Sequence, residues 1–309
     1  MKTRCAIGLD LGGTDLKAGL VTSSGEVVGF VRRPARAHES AEAPLEVIVE
    51  AVTELRRAAG GAIVGIGLGC PGVIDPVSGA LVGRTPHLPH WDSLPLRARL
   101  TERLGMSPEV GNDANFAALA EHRAGAARGA RGSLTITVGT GIGCGVIVEG
   151  RILRGAHGGA GELGHLPLDG RYACRCGVSG CVEPECSGGG LVARAREAGL
   201  AAADAEAVFA AAAAGDARAA RLIERMTDRL GALIAVAVQL LDPDVVVVGG
   251  GVSNAGEALL APLRAAVGRH ALGTHCRDLR IVRAALGERA GVAGAGLAVW
   301  EAAGAGPAG

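Results

Sequence analysis

Two segments of this chain follow the same plan, and that repetition limits the fold more than any other feature of the sequence. The first, IGLDLGGTDLKAGLVTSSGEVVGF, covers residues 7–30, and the second, LTITVGTGIGCGVIVEGRILRG, covers residues 134–155. In each, an apolar run is followed by a glycine-rich turn, a second apolar run, a short turn and a third run, as in an antiparallel meander. The repetition predicts two duplicated α/β halves, each with a glycine turn at one end of its sheet.

The segments between and after the repeats read as helices and strands. The patterns predict helices over residues 43–60, 94–104, 113–127 and 291–303, and strands over residues 62–69, 245–251 and 280–285. We therefore expect a smaller N-terminal α/β domain, made of residues 1–115 with the C-terminal helix 290–309, and a larger α/β domain, residues 116–289.

The composition excludes several functional classes. Among the 309 residues, 31 basic residues balance 31 acidic ones, which gives no basic surface for nucleic acid or a membrane. The longest apolar run, residues 230–241, is too short to cross a bilayer, and the N-terminus lacks the apolar region of a signal peptide. We expect a cytoplasmic protein with no nucleic-acid partner and no membrane partner.

Three glycine turns each follow an apolar strand, at residues 10–17 (DLGGTDLK), 138–145 (VGTGIGCG) and 248–253 (VGGGVS). Glycine lets backbone N–H groups come close to an anion, and several such groups together favour phosphate. The carboxylate of Asp10 suits this setting if a Mg²⁺ ion bridges it to the phosphate. One such turn alone is more simply a hairpin, but the three together favour nucleotide phosphates.

A polar cluster, NDAN at residues 112–115, lies where a strand meets a helix. A carboxylate there can take the proton from a substrate hydroxyl while neighbouring amides hold that hydroxyl in line. The simpler alternative is an ordinary helix cap. Asp113 is therefore a candidate general base, and the motif by itself does not separate the two roles.

The loop CRCGVSGCVE places three cysteines close together, at Cys174, Cys176 and Cys181. Three thiolates and one imidazole form a closed, tetrahedral structural zinc site. His165 in GELGH is the preferred fourth ligand because it would tie the loop to the segment that carries Glu162, and Cys186 is the alternative. In a closed site the metal orients residues and activates no water.

Taken together, these motifs are similar to those of the ROK family (repressors, open reading frames and sugar kinases), and most of all to its glucokinase-type members. The resemblance covers essentially the whole chain and is carried by DLGGT, CPGVID, NDAN, GTGIG, GELGH, CRCGVSGCVE and PDVVVVGGGVS. It implies an actin-like, ribonuclease-H-like duplicated two-domain ATPase fold with a zinc-bound loop. The cofactors that it implies are ATP, Mg²⁺ and a structural Zn²⁺.

The resemblance also assigns roles to single residues. Asp113 matches the catalytic base. The residues that match the sugar pocket are Gly72, Thr85, Asn112, Asp113, Glu162, His165 and Glu183. Those that match the ATP-binding turns are Asp10, on the Mg²⁺ side, with Gly12, Gly13, Thr14, Lys17, Gly139, Thr140, Gly141, Gly143, Gly249, Gly250 and Gly251. The matching zinc ligands are His165, Cys174, Cys176 and Cys181, and His165 would turn its second ring nitrogen to the sugar.

The activity implied by the resemblance is ATP-dependent phosphorylation of a hexose at its 6-hydroxyl, with glucose as the expected substrate. An N-acetylmannosamine or N-acetylglucosamine kinase would share every motif. From other classes, a sugar-responsive regulator would need a DNA-binding domain, for which the nine residues before Asp10 leave no room. A non-catalytic sugar-binding protein is disfavoured by the presence of Asp10 and Asp113. The family also implies a homodimer or homotetramer.

Two residues depart from the family pattern. Asp15 adds a negative charge to the first glycine turn, where it would either weaken ATP affinity or point outward. His87 stands where the related sugar kinases often carry Asn, which bears on the choice of hexose.

Overall fold

The structure is a computed structural model that describes residues 4–304. Its strands are β1 (Cys5–Leu11), β2 (Asp15–Val21), β3 (Val27–Pro34), β4 (Ile63–Cys70), β5 (Val73–Ile74), β6 (Leu81–Val82), β7 (Glu109–Asn112), β8 (Ser133–Val138), β9 (Ile142–Val148), β10 (Arg151–Ile152), β11 (Val245–Gly249) and β12 (Arg280–Arg283). Its helices are α1 (Ala43–Ala58), α2 (Leu96–Leu104), α3 (Asp113–Ala124), α4 (Glu183–Cys186), α5 (Gly188–Glu197), α6 (Ala205–Ala213), α7 (Ala217–Leu241), α8 (Glu257–His270), α9 (Gly273–Cys276) and α10 (Ala290–Ala302). The predicted elements are present, with ends that differ by a few residues.

The two larger sheets have the same topology. In the first, the strand order is β3-β2-β1-β4-β7, and in the second it is β10-β9-β8-β11-β12. Each sheet begins with an antiparallel meander, to which two parallel strands are added: β4 and β7 in the first sheet, β11 and β12 in the second. The predicted duplication is therefore confirmed strand by strand.

Helix α10 approaches the first sheet closely at several glycines, and its Val299 and Trp300 also pack on that sheet. A Cβ placed on Gly8 in β1 would lie 2.0 Å from the carbonyl oxygen of Val292, and one on Gly67 in β4 would lie 2.0 Å from that of Ala295. The helix backbone thus lies directly against the two strands. This close approach explains how a chain with only 2% aromatic residues builds a dense core.

The second sheet is covered by the long helix α7, which packs against α8. The apolar face of α7 contributes residues such as Leu230, Leu233 and Ile234 to a core that also contains the fully buried strand β11. A strand buried on both faces is expected to be a continuous apolar run, as VVVV is. Within residues 4–304, no helix has the length and apolar character needed to span a membrane.

The chain divides into two compact units. The first unit contains the described residues up to Gly129, Arg151–Ala160, and those from Glu288 onward; the second contains Ala130–Gly150 and Gly161–Gly287. The boundary expected after residue 115 thus lies after Gly129, since α3 belongs to the first unit. The reason is contact with α10, because a Cβ on Gly294 would lie 1.7 Å from the carbonyl oxygen of Phe116 in α3. Residues 305–309 of the expected C-terminal segment lie outside the described residues.

Candidate active site

In the first unit, the candidate residues gather at the carboxyl ends of the parallel strands β1, β4 and β7. Asp10 is the second-last residue of β1 and lies beside Gly69 of β4, and Asn112 ends β7 beside Cys70 of β4. Because β4 lies between β1 and β7, the carboxyl ends of β1 and β7 are about 10 Å apart, twice the usual strand spacing. This is the edge of a parallel sheet at which ligands usually bind.

Asp113 is held at the N-terminus of α3. The Oδ1 atom of Asn112 accepts a hydrogen bond from the backbone N–H of Asn115 at 3.0 Å, which caps the helix, and its Nδ2 donates to the carbonyl oxygen of Gly72 at 3.1 Å. Burial raises the pKa of Asp113, while hydrogen bonding to the Ala114 N–H and the charge of His87 act in the opposite direction. Asn112 is therefore the N-cap of α3, while Oδ1 of Asp113 accepts a hydrogen bond from the N–H of Ala114 at 2.9 Å.

Asp10 is the second carboxylate of this edge. Its pKa is raised to about 6, first by burial and second by the nearby charge of Asp113, while Lys17, whose Nζ lies 3.9 Å from Asp10 Oδ2, acts in the opposite direction. Lys17 is the cross-strand neighbour of Asp10 on β2. A half-buried carboxylate that is costly to ionise is a good partner for a cation.

The first glycine turn connects β1 to β2. The backbone N–H of Gly12 donates to the carbonyl oxygen of Asp15 at 2.8 Å, and Thr14, at the tip, is exposed. A Cβ on Gly13 would lie 2.9 Å from the carbonyl oxygen of His87, so the segment that carries His87 packs against this turn.

The extra charge of Asp15 is paired. Both Nε and Nη2 of Arg32, on the neighbouring strand β3, donate to Asp15 Oδ2, at 3.1 and 2.7 Å. The carboxylate of Asp15 is thus directed to Arg32, which agrees with the outward orientation rather than with a charge aimed at phosphate.

Gly72 and Thr85 lie together beside Asn112. Gly72 has a φ of +104°, in the region that favours glycine, and a Cβ there would lie 2.8 Å from Leu81 Cδ1 and 3.3 Å from Thr85 Cβ. Thr85 is only 4% exposed, and its buried side chain packs against the turn at Gly72. The structure thus brings Gly72, Thr85, Asn112 and Asp113 into one neighbourhood of the first unit.

In the second unit, the two remaining glycine turns meet the start of a helix. A Cβ on Gly250, whose φ is +78°, would lie 2.4 Å from the carbonyl oxygen of Val138, so the turn at residues 249–251 packs on the end of β8. Helix α5 starts against the turn at residues 139–143, because the N–H of Gly188 donates to the carbonyl oxygen of Gly139 at 2.8 Å. A Cβ on Gly189 would lie 2.6 Å from the carbonyl oxygen of Thr140.

The sequence predicts helical structure from the cysteine loop to Leu241, but the residue at which α5 begins was not predicted. Its signal is the run SGGG at residues 187–190, in which Ser187 caps α5 by accepting a hydrogen bond from the N–H of Gly190 at 3.0 Å. The N–H groups of the first turn of α5 are already bonded, since those of Gly188 and Gly189 donate to the carbonyl oxygen of Gly139 and that of Gly190 donates to Ser187 Oγ.

Glu183, at the start of α4, contacts the same glycine turn. Its Oε2 accepts a hydrogen bond from the backbone N–H of Ile142 at 2.9 Å, and a Cβ on Gly141 would lie 2.7 Å from that oxygen. Its other oxygen, Oε1, lies 3.9 Å from the sulfur of Cys174. One carboxylate therefore stands between the cysteine loop and the turn at residues 139–143, a contact that the sequence did not predict.

The candidate zinc ligands form one cluster, and its members are His165, Cys174, Cys176 and Cys181. Their ligand atoms all lie within 4.8 Å of one another; Cys174 Sγ is 3.5 Å from His165 Nδ1, and Cys176 Sγ is 3.5 Å from Cys181 Sγ. A tetrahedral Zn²⁺ with ordinary bond lengths separates two sulfurs by about 3.8 Å, and a sulfur from a nitrogen by about 3.6 Å. The donor set and its spacing fit zinc, and within residues 4–304 this cluster does not include Cys186.

His165 presents its two ring nitrogens to different partners. Nδ1 faces the cysteines, and Nε2 lies 3.9 Å from Oε2 of the half-exposed Glu162. With Nδ1 on a metal, Nε2 carries the proton and faces Glu162.

The base of the cysteine loop is anchored by Glu185, whose side chain is only 3% exposed. Its carboxylate accepts a hydrogen bond from the N–H of Arg171 at 2.8 Å and pairs with Arg225 and Arg229 of α7. Helix α4 thus directs Glu183 toward the glycine turn and Glu185 toward the base of the loop.

The chain matches known proteins over nearly its full length. The sequence model of the ROK family matches residues 6–302. The chain is 35% identical to a glucokinase of Halalkalibacterium halodurans, over 97% of this chain and 96% of that protein. It is also 36% identical to an N-acetylmannosamine kinase of Citrobacter koseri, over 84% of this chain and 87% of that protein.

The chain is also similar to solved structures of ROK family proteins. A ROK hexokinase from Thermus thermophilus superposes with a TM-score of 0.83 at 38% identity, covering 97% of this chain and 99% of that one. A ROK family glucokinase from Streptomyces griseus, in complex with glucose and AMPPNP, superposes with a TM-score of 0.83 at 32% identity, covering 94% and 98%. These matches confirm the predicted actin-like, duplicated ATPase fold.

Proposed function

Since the chain belongs to the ROK family, we propose that it is an ATP-dependent sugar kinase that phosphorylates the 6-hydroxyl of glucose. The observation that carries this proposal is the similarity to a glucokinase over 97% of the chain. Asp113, a half-buried carboxylate directly after the parallel strand β7, supports the proposal because it would act as the base that such a reaction needs.

In the proposed reaction, Asp113 accepts the proton of the 6-hydroxyl while the hydroxyl oxygen forms a bond to the γ-phosphorus of ATP. The bond from that phosphorus to the bridging oxygen breaks, and ADP leaves with its electron pair. The raised pKa of Asp113 makes it a stronger base than an ordinary aspartate. The neighbouring Asn112, fixed by its bonds to Asn115 and Gly72, would orient the sugar.

The phosphates of ATP would be bound by the glycine turns. In the first unit the candidate turn is that of Gly12, Gly13 and Thr14, in which the N–H of Gly12 already donates to Asp15 and that of Gly13 would face the phosphate. In the second unit the candidate turns are those at residues 139–143 and 249–251. Asp10, paired loosely with Lys17, would face the Mg²⁺ that accompanies ATP, and this ion would offset the charge of the phosphates.

The cysteine cluster would hold a structural zinc. Zinc bound to Nδ1 of His165 and three thiolates would fix the ring orientation and leave Nε2 to donate to a sugar hydroxyl. Glu162 and Glu183, on either side of the cluster in the sequence, would complete the sugar contacts, with Oε1 of Glu183 as the oxygen not bonded to Ile142. In the first unit, the further candidates for sugar contact are Gly72 and Thr85, which lie beside Asn112.

The second candidate is an N-acetylmannosamine or N-acetylglucosamine kinase, which the 36% identity to an N-acetylmannosamine kinase favours. The deciding measurement is ADP release with Mg-ATP against glucose, mannose, fructose, N-acetylglucosamine and N-acetylmannosamine. We expect kcat/KM for glucose to exceed that for each other sugar at least about tenfold, a difference of 1.4 kcal/mol in transition-state binding. Preference for an N-acetylated sugar would replace the glucose assignment, and no turnover by folded, zinc-loaded protein would overturn the kinase proposal.

We further propose that the protein acts in the cytoplasm, in sugar breakdown that starts from free glucose, as a homodimer or homotetramer. It would have no nucleic-acid partner and no membrane partner, in agreement with its zero formal net charge.

A further inference from the structure

Helix α10 places a glycine directly against the carboxylate of Asp10. Gly291 lies in the first turn of this helix, which begins at Ala290. A Cβ placed on Gly291 would lie 2.4 Å from Asp10 Cγ, 2.6 Å from Oδ2 and 2.8 Å from Oδ1, and these are the three atoms nearest to it. The carboxylate thus occupies the space that any side chain at position 291 would need.

The other close-packed glycines of α10 face different groups. A Cβ on Gly294 would meet the carbonyl oxygen of Phe116, and one on Gly296 would meet the side chain of Val21 at 2.4 Å. An added Cβ would thus meet its nearest neighbour at the same distance, 2.4 Å, at Gly291 and at Gly296. Of these two positions, only Gly291 has a carboxylate as that neighbour.

Asp10 is confined from a second side as well. Lys17 Nζ lies 3.9 Å from Asp10 Oδ2, and the side chain of Asp10 is 19% exposed. The carboxylate therefore has little freedom to move without losing one of these contacts.

We propose that Gly291 is a positioning residue for Asp10: by having no side chain, it lets the carboxylate lie under the first turn of α10, where it faces the cation that accompanies ATP. This rests on the proposed function for the identity of the cation. Gly291 itself would touch neither substrate.

A methyl group at position 291 would displace the carboxylate. Carbon atoms in ordinary contact are at least 3.4 Å apart, so Asp10 Cγ, at 2.4 Å, would have to retreat by about 1 Å. A misplacement of about 1 Å in a phosphoryl-transfer site costs on the order of a hundredfold in rate. We expect Gly291→Ala to lower kcat/KM for Mg-ATP by about that factor and to raise the Mg²⁺ concentration needed for half-maximal activity, with KM for the sugar nearly unchanged.

The matched control is Gly296→Ala, which adds the same methyl group to the same helix against an apolar neighbour. It is expected to lower the melting temperature but to leave the Mg²⁺ dependence as in the unmodified protein. If both variants shifted the Mg²⁺ dependence alike, or if Gly291→Ala left it unchanged, the proposal would be overturned.

A double-mutant cycle tests the contact without using activity. Melting temperatures are measured in the absence of ATP and Mg²⁺ for the unmodified protein, Asp10→Ala, Gly291→Ala and the double variant. Because Asp10→Ala removes the atoms that the new methyl group meets, Gly291→Ala should lower the melting temperature by several degrees alone and by much less in the Asp10→Ala background.

Equal losses in the two backgrounds would overturn the proposal. Should Gly291→Ala fail to fold, the double variant decides: recovery of folding supports the contact, and failure contradicts it. The cycle remains informative even if the protein proves not to phosphorylate any sugar, so failure of this inference and failure of the proposed function can be told apart.

Discussion

The carboxylate of Glu183 accepts a hydrogen bond from the backbone N–H of Ile142 at 2.9 Å, and so joins helix α4 to the glycine turn between β8 and β9. Ile142 is only 7% exposed, which leaves its N–H little access to water. The contact links the residue next to the cysteine loop with one of the turns proposed to bind ATP.

Replacing Glu183 therefore has consequences at the glycine turn. Glu183→Ala would leave the buried N–H of Ile142 unpaired, and we expect the free energy of unfolding to fall by about 1–3 kcal/mol. Glu183→Gln retains an oxygen that can accept this bond and should lose less. Denaturant titration gives the first quantity, and KM for Mg-ATP should rise more for the alanine than for the glutamine variant. Equal stabilities of the two variants would contradict the bond.

Removing the charge of Asp113 separates binding from chemistry. Asp113→Asn is nearly isosteric and cannot accept the proton of a hydroxyl, so kcat should fall at least about a hundredfold while the sugar Kd changes little. The measurements are steady-state kinetics and isothermal titration with glucose. A variant with near-normal kcat would exclude Asp113 as the base.

Asp10 makes stability depend on pH in a direction opposite to that of most carboxylates. Its folded pKa is about 6 against an ordinary value of 3.8, so between these values the folded state holds more protons and stability falls as pH rises. Asp10→Asn should stabilise the protein without Mg²⁺ by up to about 3 kcal/mol above pH 6, and hardly at all near pH 3.5. Denaturant titrations of both proteins across this range provide the test. A pH-independent difference would contradict the raised pKa.

Much of the fold was predictable because it repeats. Strand meanders with glycine turns at residues 7–30 and 134–155 predicted two like sheets, and the sheets have the same order. The domain boundary was not predictable, since the assignment of α3 to the first unit depends on contact between Gly294 and the backbone of Phe116. Sequence spacing carries no information about such a backbone contact between distant segments.

Part of the candidate site was also predictable from the sequence. Motif spacing grouped His165 with three cysteines, and the structure brings the same four side chains together. The contact of Gly291 with Asp10 and the bond between Glu183 and Ile142 were not predictable, because each depends on how separate elements pack. The signal of the α5 start, three consecutive glycines after Ser187, was present and was overlooked.

The pairing of Asp15 with Arg32 predicts how ATP affinity responds to each residue. Because Arg32 donates to Asp15 from two nitrogens, the charge of Asp15 is already offset, and Asp15→Asn should change KM for Mg-ATP by less than about threefold. Arg32→Ala would leave an unpaired negative charge beside the first glycine turn and should raise KM for Mg-ATP more than Asp15→Asn does. Initial rates at varied Mg-ATP decide between them. A large improvement in KM with Asp15→Asn would show that Asp15 acts on phosphate after all.

Zinc should be bound by the cluster that contains His165, and a matched pair of cysteine variants tests this. Cys176→Ala removes one of the proposed ligands, whereas Cys186→Ala removes the buried thiol outside the cluster. Elemental analysis should find one zinc per chain in the unmodified protein and in Cys186→Ala, and almost none in Cys176→Ala. Since a structural zinc contributes on the order of 10 kcal/mol of binding free energy, Cys176→Ala should also melt at a lower temperature and lose sugar binding. Loss of zinc from Cys186→Ala, with zinc retained in His165→Ala, would transfer the fourth ligand position from the imidazole to Cys186.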